Sequence, residues 1–306
     1  MDQVAPGVYV HEYQSGNVGF VRTGAGVVCI DSPMMPSDIR DWRAKIASVT
    51  HEPIVLLIQT DYDQVRAVGP AFFDGALIAH DATWDRLKIY SSEKTLNQIN
   101  GLVKADGGKR RWRARMPDIT FSEQLLLHKG KRDIYVLYGG GHSCATSMVY
   151  LPRHQLIFSG DLVFCKQHPT MNFAETQEWV TALTRLSRMK IKTLVPGHGP
   201  VCTQDAAAPL VAYIQTMRQR VQQSFESGKS KSETSAAMIA EFLDAFPYSD
   251  QERDERRQRI KGGSDRIYDE FRAAAKANAA RAAGRGSRRG GSSAKLPASK
   301  RSKKRG

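Results

Sequence analysis

With 306 residues, 41% of them hydrophobic, the chain has enough material for one large layered domain with extensions. No run approaches the roughly 20 apolar residues of a membrane span, and Met1-Asp2-Gln3-Val4-Ala5-Pro6 has neither a basic head nor an apolar signal core, so a cytoplasmic protein is predicted. The formal charge of +14 gathers at the end: beyond Glu270 there is no acidic residue, while Arg272, Lys276, Arg281, Arg285, Arg288, Arg289, Lys295, Lys300, Arg301, Lys303, Lys304 and Arg305 follow. Position decides what charge means, so the surplus describes a tail and not a basic folded body.

Short β-rich runs open the chain: Val8-Tyr9-Val10, Gly19-Phe20-Val21-Arg22 and Val27-Val28-Cys29-Ile30-Asp31, with glycine-containing turns between them, predict antiparallel pairing. Pro36-Ser37-Asp38 then starts an amphipathic helix with Ile39, Trp42, Ile46 and Val49 at helical spacing. Pro53-Ile54-Val55-Leu56-Leu57-Ile58 is continuously apolar, as a strand covered on both faces would be. From Trp84 to Arg115 the chain is polar and basic, with a helix predicted over Ser92 to Lys104, and reads as a lid or substrate-side insertion.

Strands return at Ile134-Tyr135-Val136-Leu137, Ser147-Met148-Val149-Tyr150-Leu151 and Leu156-Ile157-Phe158-Ser159, and finally at Thr193-Leu194-Val195. A second amphipathic helix, Glu175 to Met189, carries Trp179, Leu183 and Leu186. Beyond Asp205 the pattern is helical, and the tail has almost nothing to bury, which predicts disorder. Cys29, Cys144, Cys165 and Cys202 form no CxxC pair, so a zinc knuckle or disulfide framework is not expected.

Three polar residues stand at strand ends in glycine-rich strings that let backbone approach closely: Gly139-Gly140-Gly141-His142-Ser143, Ser159-Gly160-Asp161-Leu162 and Pro196-Gly197-His198-Gly199-Pro200. Imidazole and carboxylate at a sheet rim are the usual ligands of a hydrolytic metal. Together with Gly16-Asn17-Val18-Gly19-Phe20 and Ile30-Asp31, these strings resemble the metallo-β-lactamase superfamily over roughly the first two thirds of the chain. The resemblance implies an α/β fold, a four-layer αββα sandwich spanning 1–205. A helical extension (206–275) packing on it and a disordered basic tail (276–306) would follow.

By the same resemblance His142, Asp161 and His198 match metal ligands, and Asn17 and Asp31 match positions that support the metal floor. The first motif of the family, Thr-His-x-His-x-Asp-His, is rewritten here as Thr60-Asp61-Tyr62-Asp63-Gln64-Val65-Arg66. A hydrocarbon and a guanidinium cannot bind a metal, so Val65 and Arg66 remove the second ion. Arg66 is expected to pair with Asp161 in its place, since a buried carboxylate needs a counter-charge. Asp61, Asp63, His142, Asp161 and His198 would form the remaining site for one divalent ion, Zn, Mn or Fe, with Asp61 or Asp63 as the catalytic base.

His168 is placed on the substrate side, and Lys109-Arg110-Arg111-Trp112-Arg113 is a basic patch whose Trp112 would offer a stacking face to nucleic acid. The tail would add nonspecific phosphate contacts. Two readings stay open: a remodelled hydrolase acting on an ester, thioester or similar small substrate, and a pseudoenzyme that binds an anionic ligand or nucleic acid. A nuclease of the superfamily is disfavoured, because such members lean on the first motif and carry a further domain.

Overall fold

In the strand Val27–Ile30, Val28 and Ile30 point to one side and Val27 and Cys29 to the other, and all four are buried. Side chains alternate faces along a strand, so a sheet built from such strands must be covered twice. The computed structural model describes residues 1–247 and 249–289, with backbone alone for 282–289, and it shows that double covering. The first sheet comprises β1 (Asp2–Ala5), β2 (Val8–Tyr13), β3 (Gly16–Arg22), β4 (Val27–Ile30), β5 (Ile54–Ile58), β6 (Ala76–His80) and β7 (Ile119–Phe121), in that spatial order. Pairing is antiparallel from β1 to β4 and parallel from β4 to β7.

The second sheet comprises β8 (Gln124–Lys129), β9 (Arg132–Tyr138), β10 (Ser147–Leu151), β11 (Leu156–Phe158) and β12 (Thr193–Val195), ordered β12-β11-β10-β9-β8 and antiparallel except for β11 with β12. Val8, Val21, Val28, Ile58 and Ile78 of one sheet pack on Ile134, Val136, Val149 and Phe158 of the other. On the outer face of the first sheet lies α1 (Pro36–Ala47), whose Ile39, Trp42 and Ile46 meet Cys29, Leu57 and Leu77. The short α2 (Gln64–Ala67) and α3 (Asp81–Arg86) follow β5 and β6, and α4 (Glu93–Ala105) follows α3. The second sheet is covered by α5 (Thr176–Leu186), α6 (Ala207–Glu226), α7 (Lys231–Phe242) and α8 (Arg253–Arg289), through Trp179, Leu183, Ile214, Met217, Met238, Ile260 and Ile267. Four layers result, and both sheets run their strands toward a shared rim.

Two expectations change. Trp112 is 1% exposed and its Nε1 donates to the Val68 carbonyl at 2.9 Å, with Asn100 bonding its main chain on both sides. The indole sits among Tyr90, Ile99 and Val103, so it offers nucleic acid no stacking face, although Lys109, Arg110, Arg111 and Arg113 around it are exposed. The helix α8 runs to Arg289, past residue 276 where the tail was placed; the rest of the tail, 290–306, lies outside the described residues. No described helix is long and apolar enough to cross a membrane.

Candidate active site

Where β5 ends, the chain needs a new start for α2, and Asp63 provides it by accepting the Gln64 N–H at 2.6 Å as N-cap. One turn later α2 carries Arg66 inward, where it is 1% exposed. Beyond β9, Gly140 and Gly141 take positive φ, and a Cβ on Gly141 would fall 2.4 Å from the Trp179 Cα. Only glycine permits that approach, and it delivers His142 to the rim. At β12's end a Cβ on Gly197 would lie 2.2 Å from Asp161 Oδ1, so this glycine lets the loop before His198 close over Asp161.

Arg66 grips Asp161 with both arms of its fork, Nη2 to Oδ1 at 2.6 Å and Nε to Oδ2 at 3.2 Å. Its remaining donors go to the carbonyls of Asn17 and Gly197, each at 2.9 Å, and Asp31 stands 3.5 Å from Nη1. Burial alone would raise the Asp161 carboxyl and lower the guanidinium; the pair reverses both, holding Asp161 well below the usual carboxylate range and Arg66 above its own. Asn17 Nδ2 also bonds the carbonyls of Pro196 and Gly199, and Asp31 accepts from Thr60 N and Oγ1. These two residues therefore hold the rim in shape without facing the cleft.

Asp61 is fully buried and accepts four hydrogen bonds. Oδ1 takes those of Tyr62 N at 2.7 Å and Ser143 Oγ at 2.8 Å, and Oδ2 those of Thr146 Oγ1 at 2.8 Å and His142 Nδ1 at 3.0 Å. Burial disfavours the charged ring of His142, yet the bond it donates to Asp61 and the charges of Asp61, Asp161 and Asp63 push its pKa up to about 9. His198 goes the other way. Burial and the nearby Arg66, Arg259 and His142 outweigh Asp161 and lower it to about 3, so its ring is neutral, stacked on Phe164 at 4.7 Å with Nε2 3.4 Å from Asp161 Oδ1.

Whether these residues suit the metals of the fold can be tested position by position. Around Arg66 they do not: a buried guanidinium already satisfies Asp161, and Val65 donates nothing. At the first position they fit one ion, because ligand atoms of Asp61, His142 and Asp161 all lie within 4.8 Å of one another. Asp63 is not part of that trio; it lies on the wall of a cleft of about 600 Å³ together with Val65, Thr170 and His198. Burial, together with Asp61 and Asp161, raises its pKa against the pull of His142.

Of the remaining expected residues, His168 does not line this cleft. It is 1% exposed, with Nδ1 3.1 Å from the Tyr213 hydroxyl and Nε2 3.3 Å from the Leu243 carbonyl, so it anchors the C-terminal helices. Sequence reasoning missed Ser143 and Thr146, the hydroxyl partners of Asp61, and Thr170, whose Oγ1 lies 3.2 Å from His142 Nε2. It also missed the opposite cleft wall, Glu255, Gln258 and Arg259 of α8. The proximity of Ser143 and Thr146 to His142 was a usable signal; nothing in the α8 pattern points to the cleft.

A family model described as the metallo-beta-lactamase superfamily matches residues 13–198. Among solved structures, a metallo-beta-lactamase from Pontibacter korlensis is 21% identical with a TM-score of 0.57, covering 70% of this chain and 97% of that one. A metallo-beta-lactamase family protein from Thermus thermophilus is 15% identical with a TM-score of 0.64, covering 87% of this chain and 93% of its own. The DIM-1 metallo-beta-lactamase is 18% identical with a TM-score of 0.57, covering 70% and 96%. At these identities the structures speak for the fold, and the family match spans more than half of the chain, so the protein belongs to the metallo-beta-lactamase superfamily.

Proposed function

We propose that this chain is a hydrolase that holds at most one divalent cation, at Asp61, His142 and Asp161 with His198 beside them, and acts on an ester, thioester or similar small substrate. The observation that carries this reading is the convergence of that buried trio behind His198 and Thr170, which contact Asp161 and His142 and line a cleft of about 600 Å³, a size suited to small ligands. When bound, such an ion would polarise a carbonyl and lower the pKa of water. One imidazole among carboxylates leaves Zn, Mn and Fe all open.

The chain's own residues have separable tasks. Arg66 keeps Asp161 ionised and in place. Asp63, on the cleft wall with a raised pKa, is the group positioned to take or return a proton, the task left vacant by Val65. The cleft lining includes Asp38, Asp63 and Glu255 against Arg259, together with Met34, Met35 and Leu102, which favours a neutral or amine-bearing substrate with an apolar body over an anion.

Metal analysis of protein purified without chelators tests the reading: about one equivalent is expected, lost in Asp61→Ala and His142→Ala. No bound metal, with an unchanged unfolding temperature after chelation, would favour the second reading, a noncatalytic binding module. The observation on its side is that Arg66 and a protonated His142 already neutralise Asp161 and Asp61.

A further inference from the structure

Because β4, β5 and β9 all begin at the end of the sandwich opposite the candidate site, the turns there come from both sheets. The β1–β2, β3–β4 and β8–β9 turns and the Pro152–His154 segment line an open hollow of about 780 Å³, larger than the cleft. Its charge is opposite in sign. Arg22, Lys131, Arg132, Arg153 and His154 line it, and the one acid among the lining residues is Glu52, 3.8 Å from Arg22. Arg132 is half-buried, bonded through Nη2 to the Pro6 carbonyl at 2.7 Å and through Nη1 to His154 Nε2. Arg153 is exposed and has no hydrogen-bond or ion-pair partner among the described residues.

Cations crowded in this way repel one another until an anion joins them. Burial lowers the pKa values of both Arg132 and His154, and the charge of neighbouring arginines adds to it. These side chains share the lining of one hollow, which suits a compact anion better than an extended polymer backbone. Guanidinium forks match phosphate oxygens two at a time.

We propose that this hollow is a second binding site, for a small phosphate-bearing anion of pyrophosphate or nucleoside diphosphate type, with Arg132 and Arg153 as its principal partners. It is independent of the candidate active site, so Asp61→Ala should leave it untouched. Calorimetric titration of the full chain with inorganic pyrophosphate at low salt is the test. Saturable binding is expected, weakened about tenfold by Arg153→Gln, the loss of one charge-assisted contact, and further by Arg132→Gln. Arg111→Gln, in the other basic segment, should bind as the unaltered protein does. Since Arg153 bonds nothing among the described residues, its replacement does not threaten folding. No saturable binding, unaltered affinity in Arg153→Gln, or binding of single-stranded DNA but not pyrophosphate would overturn the proposal.

Discussion

Arg66 makes hydrogen bonds to one carboxylate and two carbonyls while almost wholly out of water, so removing it leaves Asp161 buried and uncompensated. Arg66→Ala should cost about 3–5 kcal/mol, and Arg66→Ala combined with Asp161→Ala should cost less than the sum of the two single changes; urea unfolding of the four proteins measures both. His142 gives a pH signature in chelated protein. Its folded pKa, about 9 against 6.5, is raised, so the stability it contributes is complete below pH 6.5 and disappears as pH rises through about 9. Urea midpoints should fall across that window and flatten in His142→Gln; a midpoint unaffected by pH there would show a neutral ring. Much of this level was legible in the sequence. Glycine-flanked His142, Asp161 and His198 announce a rim, and loss of motif ligands beside a retained aspartate demands a new cation. Ser143 and Thr146 could be suspected from their closeness to His142 in the sequence, but a hydroxyl shows which partner it binds only after the loop has closed.

The strands were the most readable elements, since a run apolar at every position has to be covered on both faces. Basic segments were the least readable. In Lys109 to Arg113 the charges advertise a surface, and nothing in the string says that the one aromatic turns inward to donate to Val68. Trp112→Ala should therefore act as a core deletion, costing about 3–5 kcal/mol and lowering the unfolding temperature, while nucleic-acid retention on a low-salt column stays the same. A loss of retention without a loss of stability would return the indole to the surface. The same blindness explains His168, whose place in the loop after Asp161 suggested the cleft while its ring bonds to Tyr213 and Leu243.

At the scale of the molecule, α8 serves the core and the cleft together, through Ile260 and Ile267 on one side and Glu255, Gln258 and Arg259 on the other. Ending the chain at residue 252 should lower the unfolding temperature by several degrees and abolish ligand protection at the cleft, read by thermal denaturation with and without substrate analogues. Retained protection would place the ligand wholly on the sandwich. The guanidinium of Arg66 reaches β3 through Asn17, the segment after β11 through Asp161 and the one after β12 through Gly197, so it rivets both halves of the sandwich together at the rim. An ion in that position exchanges with its surroundings and is lost to any stronger scavenger, whereas a side chain arrives with the ribosome and never leaves. For this half of its centre, a cell starved of transition metals would build the same protein as a cell supplied with them.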